Sequence, residues 1–466
     1  MKLKNFFLAS LIAGSLWSCS QDFTDLTPVT QRSANGFYLT AGDMNTAINA
    51  AYRALQMNGT YNQSYWIMQE MRSDNTDQGP DGTGLGAELT VIDNFSEIAT
   101  SEMIAAAYTD SYLGIARCNI VLDRIGAIEM DAALKERIKG EALFLRSLFF
   151  YNLAISFGNI PMPLSEAKSV AEGSSLPQLP ASEIYKQLIV DLQAAETALP
   201  IKHAAADVGR ATKGAAAALL GKVMLTAADK TGAAAALKRI VDGYGYSLLA
   251  DYGSLWGLAN KNNAESIFEV QFKGGGTGTG NSFTNAFSPL LRQTTGAFKN
   301  RPTVNMINAY ERGDDRFLKS MDTSFVNSAG VLNTNSRNDT RFITKFGKEN
   351  AFNENDASYN FVVLRYADVL LMLAEALGDS PEAYIYINRV RARAKLAPIS
   401  AATAGTFEEK LLRERRVELA FENHRWADLL RFGKAAEMMT AQGKTARPLY
   451  LIPQRELDIN ASFKQN

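Results

Sequence analysis

The chain has 466 residues, of which 46% are hydrophobic and 21% charged, a composition typical of a globular protein with a sizeable core. Lysine and arginine number 48 against 49 aspartate and glutamate, and this near-neutral balance argues against nucleic acid as the main partner. Two histidines and two cysteines leave almost nothing for a zinc site, a Cys/His nucleophile or a disulfide framework, so we expect no cofactor and no bound metal.

The first residues have the pattern of a bacterial export signal. A short basic segment at 1–4 precedes an apolar stretch at 6–17, which is too short for a membrane-spanning helix of about 20 residues. The stretch ends in Leu16-Trp17-Ser18-Cys19, which is similar to a lipobox, where the cysteine is lipidated and becomes the new N-terminus. We expect a signal peptide over 1–18 and a lipid anchor at Cys19; an ordinary signal peptide with an incidental cysteine is the alternative.

Cleavage before Cys19 would leave Cys118 as the only other thiol, so no intramolecular disulfide could form. The fold would then depend on its core, with Cys118 as a lone buried thiol. Residues 19–40 are acidic and apolar by turns, as in a lipidated tether. We expect the tether to lead to a single folded domain over 41–466.

Helical periodicity dominates that domain. The pattern predicts helices over 41–57, 101–128, 131–157, 182–199, 211–228, 232–241, 363–377, 381–394, 407–423 and 426–441. Several form pairs with tight turns and many small residues, which is typical of tetratricopeptide-like hairpins that stack into a continuous core. Because the full tetratricopeptide signature does not recur, an irregular helical bundle is the alternative.

Two regions interrupt the helices. Residues 74–94 are polar and glycine-rich, and 274–337 form a long irregular insert after a short strand predicted at 266–272. Irregular segments on a rigid scaffold are common places for ligand sites. We therefore predict a mainly α fold with a few short strands. Its helical scaffold covers about 41–58, 101–242 and 359–442, and its ligand-facing parts cover about 74–100 and 266–345.

The motifs within these regions are weak. The glycine run that begins at Gly274 lacks the Gly-Lys-Ser/Thr of a phosphate loop, so a flexible loop is expected. A second pattern matches a calcium loop at positions 1, 5, 6 and 12, but its third position is a glycine without a side-chain ligand. A solvated turn is expected there, with a bound cation as the alternative. The four matching residues are Asp77, Asp81, Gly82 and Glu88.

Nothing in the sequence marks a catalytic group. His203 and His424 have no Cys or Ser partner at a recognisable spacing, so each is expected to be structural or exposed. The 49 carboxylates could include a glycosidase pair, but no pair stands out.

The densest charge cluster lies at 414–431. Oppositely charged residues stand three apart, where side chains meet on a helix, and apolar residues lie between them. This pattern predicts partly buried ion pairs that fix the helix register. The alternative is a carboxylate or phosphate site around Arg415, Arg416 and Arg425. The predicted pairs are Arg415 with Glu418, Glu422 with Arg425, and Asp428 with Arg431.

The same cluster carries a family resemblance. The run Glu414-Arg415-Arg416-Val417-Glu418-Leu419-Ala420-Phe421-Glu422, followed by Arg425-Trp426-Ala427-Asp428-Leu429-Leu430-Arg431, resembles the C-terminal signature of the SusD/RagB family of Bacteroidetes outer-membrane lipoproteins. Further segments resemble the family in the same order along the chain. They are Cys19 with its acidic follow-on, 140–146 with 157–161, 364–377 with 387–394, and the tail 452–466.

The resemblance implies a binding protein without enzymatic activity, anchored by lipid in the outer membrane and facing the cell exterior. Such proteins capture a glycan, or sometimes a peptide, and deliver it to a SusC-like TonB-dependent transporter. The resemblance also implies four tetratricopeptide-like helix pairs supporting an irregular half that holds the ligand. The matching segments belong to the scaffold, so they transfer no binding residue.

Candidate site residues therefore come from chemistry alone. A sugar site needs aromatic faces together with amide and charged side chains for the hydroxyl groups. Each aromatic candidate could instead belong to the core of the loops, and Trp66 and Trp256 are expected to be buried. The candidates from the two irregular regions are Asp74, Asn75, Asp77, Asp81, Phe283, Phe287, Arg292 and Phe298.

Two other functions remain open at this point. A scaffold lipoprotein would bind protein partners in its helical grooves rather than a small ligand in a loop-lined pocket. A surface glycan hydrolase would need a carboxylate pair about 5–10 Å apart in a cleft.

Lipidation predicts a clear phenotype for Cys19→Ala. Without the acylated thiol the protein should leave the membrane fraction, because the lipid chains supply most of the membrane affinity. Fractionation followed by immunoblotting measures this. Retention of Cys19→Ala in the membrane would show that the lipobox interpretation is wrong.

Overall fold

Capping side chains set the starts of the helices in this computed structural model. The Thr40 hydroxyl accepts a hydrogen bond from the Asp43 N–H, and the Asp43 carboxylate accepts one from the Thr40 N–H. Thr406 and Glu409 form the same reciprocal pair at a later helix. The helices therefore begin close to the positions that their sequences predict.

The structure describes residues 37–78, 84–289, 299–326, 330–333, 340–346 and 356–466. The predicted signal peptide, Cys19 and most of the tether lie outside these ranges, as do Asp81, Gly82, Arg292 and Phe298. Within the ranges, none of the helices combines the length and the hydrophobicity that crossing a membrane requires.

The helices, in chain order, are α1 (Ala41–Ala54), α2 (Ser64–Glu70), α3 (Leu85–Asp93), α4 (Glu102–Arg124), α5 (Ala132–Phe157), α6 (Val170–Ser174), α7 (Ala181–Ala198), α8 (Lys213–Thr226), α9 (Lys230–Gly243), α10 (Phe283–Phe287), α11 (Val304–Ala309), α12 (Phe317–Ser320), α13 (Tyr366–Leu377), α14 (Pro381–Arg393), α15 (Phe407–Glu418), α16 (Arg425–Arg431), α17 (Ala435–Thr440) and α18 (Gln454–Ile459).

The strands are short and form antiparallel pairs: β1 (Thr76–Asp77) with β5 (Arg301–Pro302), β2 (Ile160–Pro161) with β3 (Gln178–Leu179), β4 (Ser266–Val270) with β10 (Phe361–Arg365), β6 (Met321–Asp322) with β9 (Phe342–Ile343), and β7 (Phe325–Val326) with β8 (Leu332–Asn333).

Successive long helices stack on one another. α1 packs on α4, α4 on α5, α5 on α7, α7 on α8, α8 on α9, α9 on α13, and α13 on α14. This order gives four pairs: α1–α4, α5–α7, α8–α9 and α13–α14. Small residues permit the close approach, since a Cβ at Gly221 of α8 would lie 2.5 Å from Cγ of Leu237 in α9. The mainly helical fold with a few short strands is confirmed.

Three parts of the predicted helix pattern differ in the structure. Residues 363–365 belong to β10 rather than to a helix, because this buried segment pairs with β4. The helix predicted to end at 423 ends at Glu418, because Phe421 and Asn423 both have a φ of 66°. The helix predicted over 426–441 is divided into α16 and α17 by Gly433, which has a φ of 65°. In addition, α3 lies inside a region predicted to be irregular.

Buried side chains confirm two expectations about single residues. Cys118 on α4 is fully buried, and burial raises the pKa of its thiol to about 12, so the thiol is neutral at physiological pH. Trp66 on α2 is also buried, whereas Trp256 is only half-buried.

A group of buried charges, which we call the ion network, joins the helical stack to the irregular half. Arg365, at the end of β10, lies at its centre. The Arg365 guanidinium contacts the carboxylates of Glu418 at 2.5 Å, Glu422 at 2.6 Å and Glu265 at 2.9 Å. All of its members are buried. They are Glu265, Asp314, Arg316, Lys345, Arg365, Arg391, Arg393, Glu414, Glu418 and Glu422.

Glu418 shows how the network balances burial against charge. Burial raises the pKa of its carboxyl group, but the guanidinium groups of Arg393, Arg365 and Arg316 outweigh that effect and hold the pKa well below its usual range. The carboxylate therefore stays ionised inside the protein, shared among three cations.

The pairing inside the 414–431 segment differs from the predicted spacing pattern. Only Asp428 and Arg431 pair three residues apart, at 2.9 Å. Arg415 instead contacts Asp428 at 2.8 Å and Asp368 of α13 at 2.9 Å. Arg415 and Glu418 lie on the same helix, but Glu418 is held by arginines of the ion network instead. Glu422 and Arg425 do not pair because the chain between them has a positive φ at Asn423 and is not helical.

Arg365→Met should strongly destabilise the protein. It would leave Glu265, Glu418 and Glu422 without their shared cation, and removing one partner of a buried charge pair costs about 3–5 kcal/mol. Urea unfolding followed by circular dichroism measures the loss in the free energy of unfolding. Lys186→Met, which removes an exposed ion pair with Glu183, is the matched control and should change the midpoint little. Equal losses in the two variants would contradict a central role for the network.

Candidate functional site

The structure brings the two irregular regions together. β1 pairs with β5, so that Asp77 lies opposite Arg301, and the Thr303 N–H donates to the Asn75 carbonyl oxygen at 2.8 Å. The Lys299 N–H donates to the Ala286 carbonyl oxygen at 2.7 Å, which adds α10 to the assembly. We call the described residues 74–78, 283–288 and 299–303 the loop junction.

Two arginines of the C-terminal signature hold Asp74 and Asn75 in place. Arg425 donates from Nε and Nη2 to the two Asp74 carboxylate oxygens at 2.6 and 2.7 Å. Arg416 donates from Nε to Asn75 Oδ1 at 2.9 Å, and its Nη2 lies 3.1 Å from Asp74 Oδ2. Burial raises the pKa of Asp74, but Arg425 and Arg416 lower it below its usual range. A ligand could reach this carboxylate only by displacing Arg425.

These contacts also bear on the alternative anion site around the signature arginines. The guanidinium groups of Arg415, Arg416 and Arg425 all contact carboxylates of this chain. The structure therefore favours the interpretation that these arginines form a structural network.

Asp77 lies at the edge of the loop junction. Its side chain is 31% exposed and lies 2.9 Å from Arg301 Nη2 and 3.4 Å from Arg341 Nη2. Two guanidinium groups thus neutralise the first position of the calcium-loop pattern, where the sequence predicted a solvated turn. In the part of the chain that the structure describes, no group of three or more His, Cys, Asp or Glu side chains could hold a metal ion.

The two described aromatic candidates lie in the core beneath the junction. Phe283 and Phe287 are buried, and both rings contact Phe346. Phe287 also meets Trp66 edge-on, with 4.8 Å between ring centroids. Neither phenylalanine presents a ring face to solvent, which matches the alternative of a core position for these residues. The remaining candidates Asp81, Arg292 and Phe298 lie outside the described residues.

The chemically distinctive feature of the junction is a group of amide and hydroxyl side chains, of which the sequence singled out only Asn75. Both polar atoms of the Asn300 amide, Oδ1 of Asn285, Oγ1 of Thr284 and Nδ2 of Asn75 are buried and have no hydrogen-bond partner in the described ranges. Nearly all buried polar groups in proteins have a partner, and these four residues are at most 4% exposed, so the cluster suits an enclosed water or a polar group that penetrates the junction. No sequence signal marked Asn300; in the structure it has a φ of 53°, a conformation that asparagine tolerates well.

The two histidines are structural. His203 Nε2 lies 2.7 Å from the Ala211 carbonyl oxygen, and His424 Nδ1 lies 3.0 Å from Lys222 Nζ. Burial lowers the pKa of His424 to about 4, so its ring is neutral at physiological pH and can accept from Lys222.

Sequence comparison matches most of the chain to known families. A family profile described as "SusD family" matches residues 343–450, and one described as "Starch-binding associating with outer membrane" matches residues 24–225. The SusD-like protein P2 of Formosa agariphila is 26% identical over 99% of this chain and 95% of its own length. The chain belongs to the SusD family. The predicted family is therefore confirmed.

Solved structures of SusD-like proteins superpose over most of the chain. A laminarin-binding SusD-like protein is 29% identical, with a TM-score of 0.82 over 92% of this chain and 99% of its own. The surface glycan-binding protein A of Bacteroides fluxus is 23% identical, with a TM-score of 0.80 over 92% of this chain and 99% of its own. Family membership makes this chain a binding protein associated with the outer membrane rather than an enzyme.

Glu70, at the end of α2 beneath the junction, should give this SusD-family protein a pH-dependent stability. Burial raises the pKa of its carboxyl group from 4.5 to about 7, although the Asn423 N–H donates to it at 2.7 Å. A raised pKa in the folded state means that stability is present below pH 4.5 and is lost as the pH rises through about 7.

Between pH 5 and 8 the wild type should therefore lose about 2–3 kcal/mol more of its free energy of unfolding than Glu70→Gln. Urea unfolding across this pH range measures the difference. Glu183→Gln removes an exposed carboxylate and should retain the wild-type pH dependence. Parallel curves for wild type and Glu70→Gln would show that Glu70 is not the titrating group.

Proposed function

We propose that this protein is a lipid-anchored SusD-family subunit on the outer face of the outer membrane. It captures a glycan at the loop junction and delivers it to a SusC-like TonB-dependent transporter. The observation that carries the glycan role is the match to SusD-family profiles, one of them described as "Starch-binding associating with outer membrane". The amide and hydroxyl groups that have no partner among the described residues suggest the loop junction as its place. The 29% identical relative described as laminarin-binding supports the same ligand class.

The chemistry of the junction suits a neutral, hydroxyl-rich ligand. A side-chain amide offers two donors on nitrogen and an acceptor oxygen, which matches the mixed donor and acceptor character of sugar hydroxyls. The charged residues nearby are already paired, Asp74 with Arg425 and Asp77 with Arg301. A strongly charged ligand would have to break those ion pairs, whereas a neutral glycan would leave them intact.

The junction is also held rigidly, which reduces the entropy lost when a ligand binds. Arg416 and Arg425 tie residues 74 and 75 to the C-terminal helices, and the Thr303 hydroxyl donates to the Asp74 carbonyl oxygen at 2.9 Å. Membership of the SusD family supports delivery to a transporter, and the Leu16–Cys19 pattern supports the lipid anchor and an exterior position.

Isothermal titration calorimetry of the purified protein tests the glycan role. We expect saturable binding of at least one neutral polysaccharide, with laminarin as the first probe, and no shortening of the bound glycan. Starch and other neutral glycans and a peptide array complete the panel. Failure to bind any of these ligands, together with tight binding to another soluble protein, would favour the scaffold alternative. Turnover of a bound glycan would favour the hydrolase.

Asn300→Gly tests the position of the site. Glycine accepts the positive φ, and the lost amide has no partner among the described residues, so the free energy of unfolding should stay within about 1 kcal/mol of the wild type. Glycan affinity should fall at least about tenfold.

Asn262→Gly is the matched control. Asn262 has the same φ of 53°, but its amide exchanges two hydrogen bonds of 2.9 Å with Gln271. This variant should lose about 1–2 kcal/mol of stability and keep its glycan affinity. Wild-type glycan affinity in Asn300→Gly would place the site outside the loop junction.

A further inference from the structure

A second cavity lies on the helical side of the molecule. It has a volume of about 560 Å³, within the range of ligand pockets, and shares no lining residue with the loop junction. Its walls are α4, the segment 161–167, the end of α6, and α18 with the C-terminal tail. We call it the tail cavity.

The walls of the tail cavity are apolar and aromatic. Tyr108 and Tyr112 of α4 lie side by side with 4.8 Å between ring centroids, and Phe463 of the tail contributes a third ring. At its rim, the side chains of Leu164 and Ile459 are 40% and 49% exposed. Large apolar side chains exposed around a concave surface are typical of protein-binding sites.

Hydrogen bonds fix these walls in place. The Tyr112 hydroxyl donates to the Pro161 carbonyl oxygen at 2.6 Å. Nδ2 of Asn119 donates to the Pro163 carbonyl oxygen at 2.9 Å, and Nδ2 of Asn460 donates to the Leu176 carbonyl oxygen at 3.1 Å. The cavity is therefore preformed, which lowers the cost of binding.

One carboxylate in the tail cavity lacks a partner. Glu166 is neutralised by Arg124, which donates to both of its oxygens at 2.6 and 2.7 Å. Glu456 of α18, by contrast, forms no ion pair or side-chain hydrogen bond with any residue that the structure describes. Burial raises the pKa of Glu456, only partly offset by its neighbour Arg455. Together with Glu172, it gives the cavity an acidic surplus over Arg455.

A buried hydroxyl accompanies this carboxylate. Tyr108 is only 3% exposed, and its hydroxyl interacts with the hydroxyl of Tyr112. Glu456 lies close enough to contribute to the raised pKa of both Tyr108 and Tyr112. A carboxylate without an ion-pair partner beside two tyrosine rings suits a cation, which gains from the charge and from the ring faces.

We propose that the tail cavity binds an extended segment of a partner protein in which an apolar residue stands next to a lysine or arginine. The apolar side chain occupies the space between Tyr112, Leu164 and Phe463. The basic side chain reaches Glu456. A glycan is a poorer fit, because several polar side chains of the walls are already engaged within the chain: Tyr112, Asn119 and Asn460 donate to backbone carbonyl oxygens, and Glu166 is paired with Arg124. The acidic surplus disfavours an anionic ligand. The proposal does not depend on the glycan role of the loop junction.

Panning a phage-displayed library of random hexapeptides against the purified protein tests the proposal. Wild type should enrich sequences with an apolar residue beside lysine or arginine, and Glu456→Lys should lose this enrichment. Glu437→Lys is the matched control, because Glu437 is an exposed glutamate on α17 outside the tail cavity, and it should retain the enrichment. No enrichment, or the same enrichment in Glu456→Lys, would overturn the proposal.

Calorimetry with the most enriched synthetic peptide gives the second measurement. Leu164→Asp should weaken its binding at least about tenfold while leaving laminarin binding and the thermal midpoint unchanged. Tighter binding of a peptide with the sequence of residues 20–36, abolished by Glu456→Lys, would instead assign the cavity to this chain's own N-terminal segment. That result would overturn the partner-protein proposal.

Discussion

The buried ion pairs of the Glu418 carboxylate are the interaction on which the rest of the structure depends. Three arginines from different parts of the chain share it: Arg316 from the irregular half, Arg365 from the end of β10, and Arg393 from α14. A buried charge of this kind is tolerated only when its partners are in place, so the irregular half and the helical stack cannot separate without exposing or orphaning it. Hydrophobic packing builds the stack, but the ion network fixes how the loops sit on it.

The last turn of helix α15 contacts three other parts of the structure through Arg415, Arg416 and Glu418. Arg415 contacts Asp368 and Asp428 and so connects α13 with α16. The next residue, Arg416, holds Asp74 and Asn75 at the loop junction. Glu418 holds the ion network. The family signature is thus a scaffold that positions the two irregular regions.

The two proposed binding surfaces lie where, among the described residues, polar groups lack hydrogen-bond or ion-pair partners or apolar side chains are exposed. At the loop junction these groups are neutral amides, next to charges that already neutralise one another. In the tail cavity the group is the Glu456 carboxylate, which has no ion-pair partner among the described residues and lies among aromatic and aliphatic walls. The two surfaces therefore suit different ligands, a neutral glycan at the first and a basic, apolar segment of a protein at the second.

Helical periodicity and capping residues determined nearly all of the stacked helices, and the described parts of the two regions without periodicity contain short helices and short strands. The sequence also supplied the family, through the charged segment at 414–431. Only the tertiary structure decided that residues 363–365 pair as a strand, that Glu418 reaches Arg365 rather than Arg415, and that Phe283 and Phe287 lie in the core. The structure also showed that Asp74 and Asp77 are paired with arginines, whereas polar atoms of Asn285 and Asn300 have no hydrogen-bond partner among the described residues. The physical reason is that periodicity records local burial, whereas the partner of a charge or an amide is set by segments that lie from tens to hundreds of residues apart in the chain.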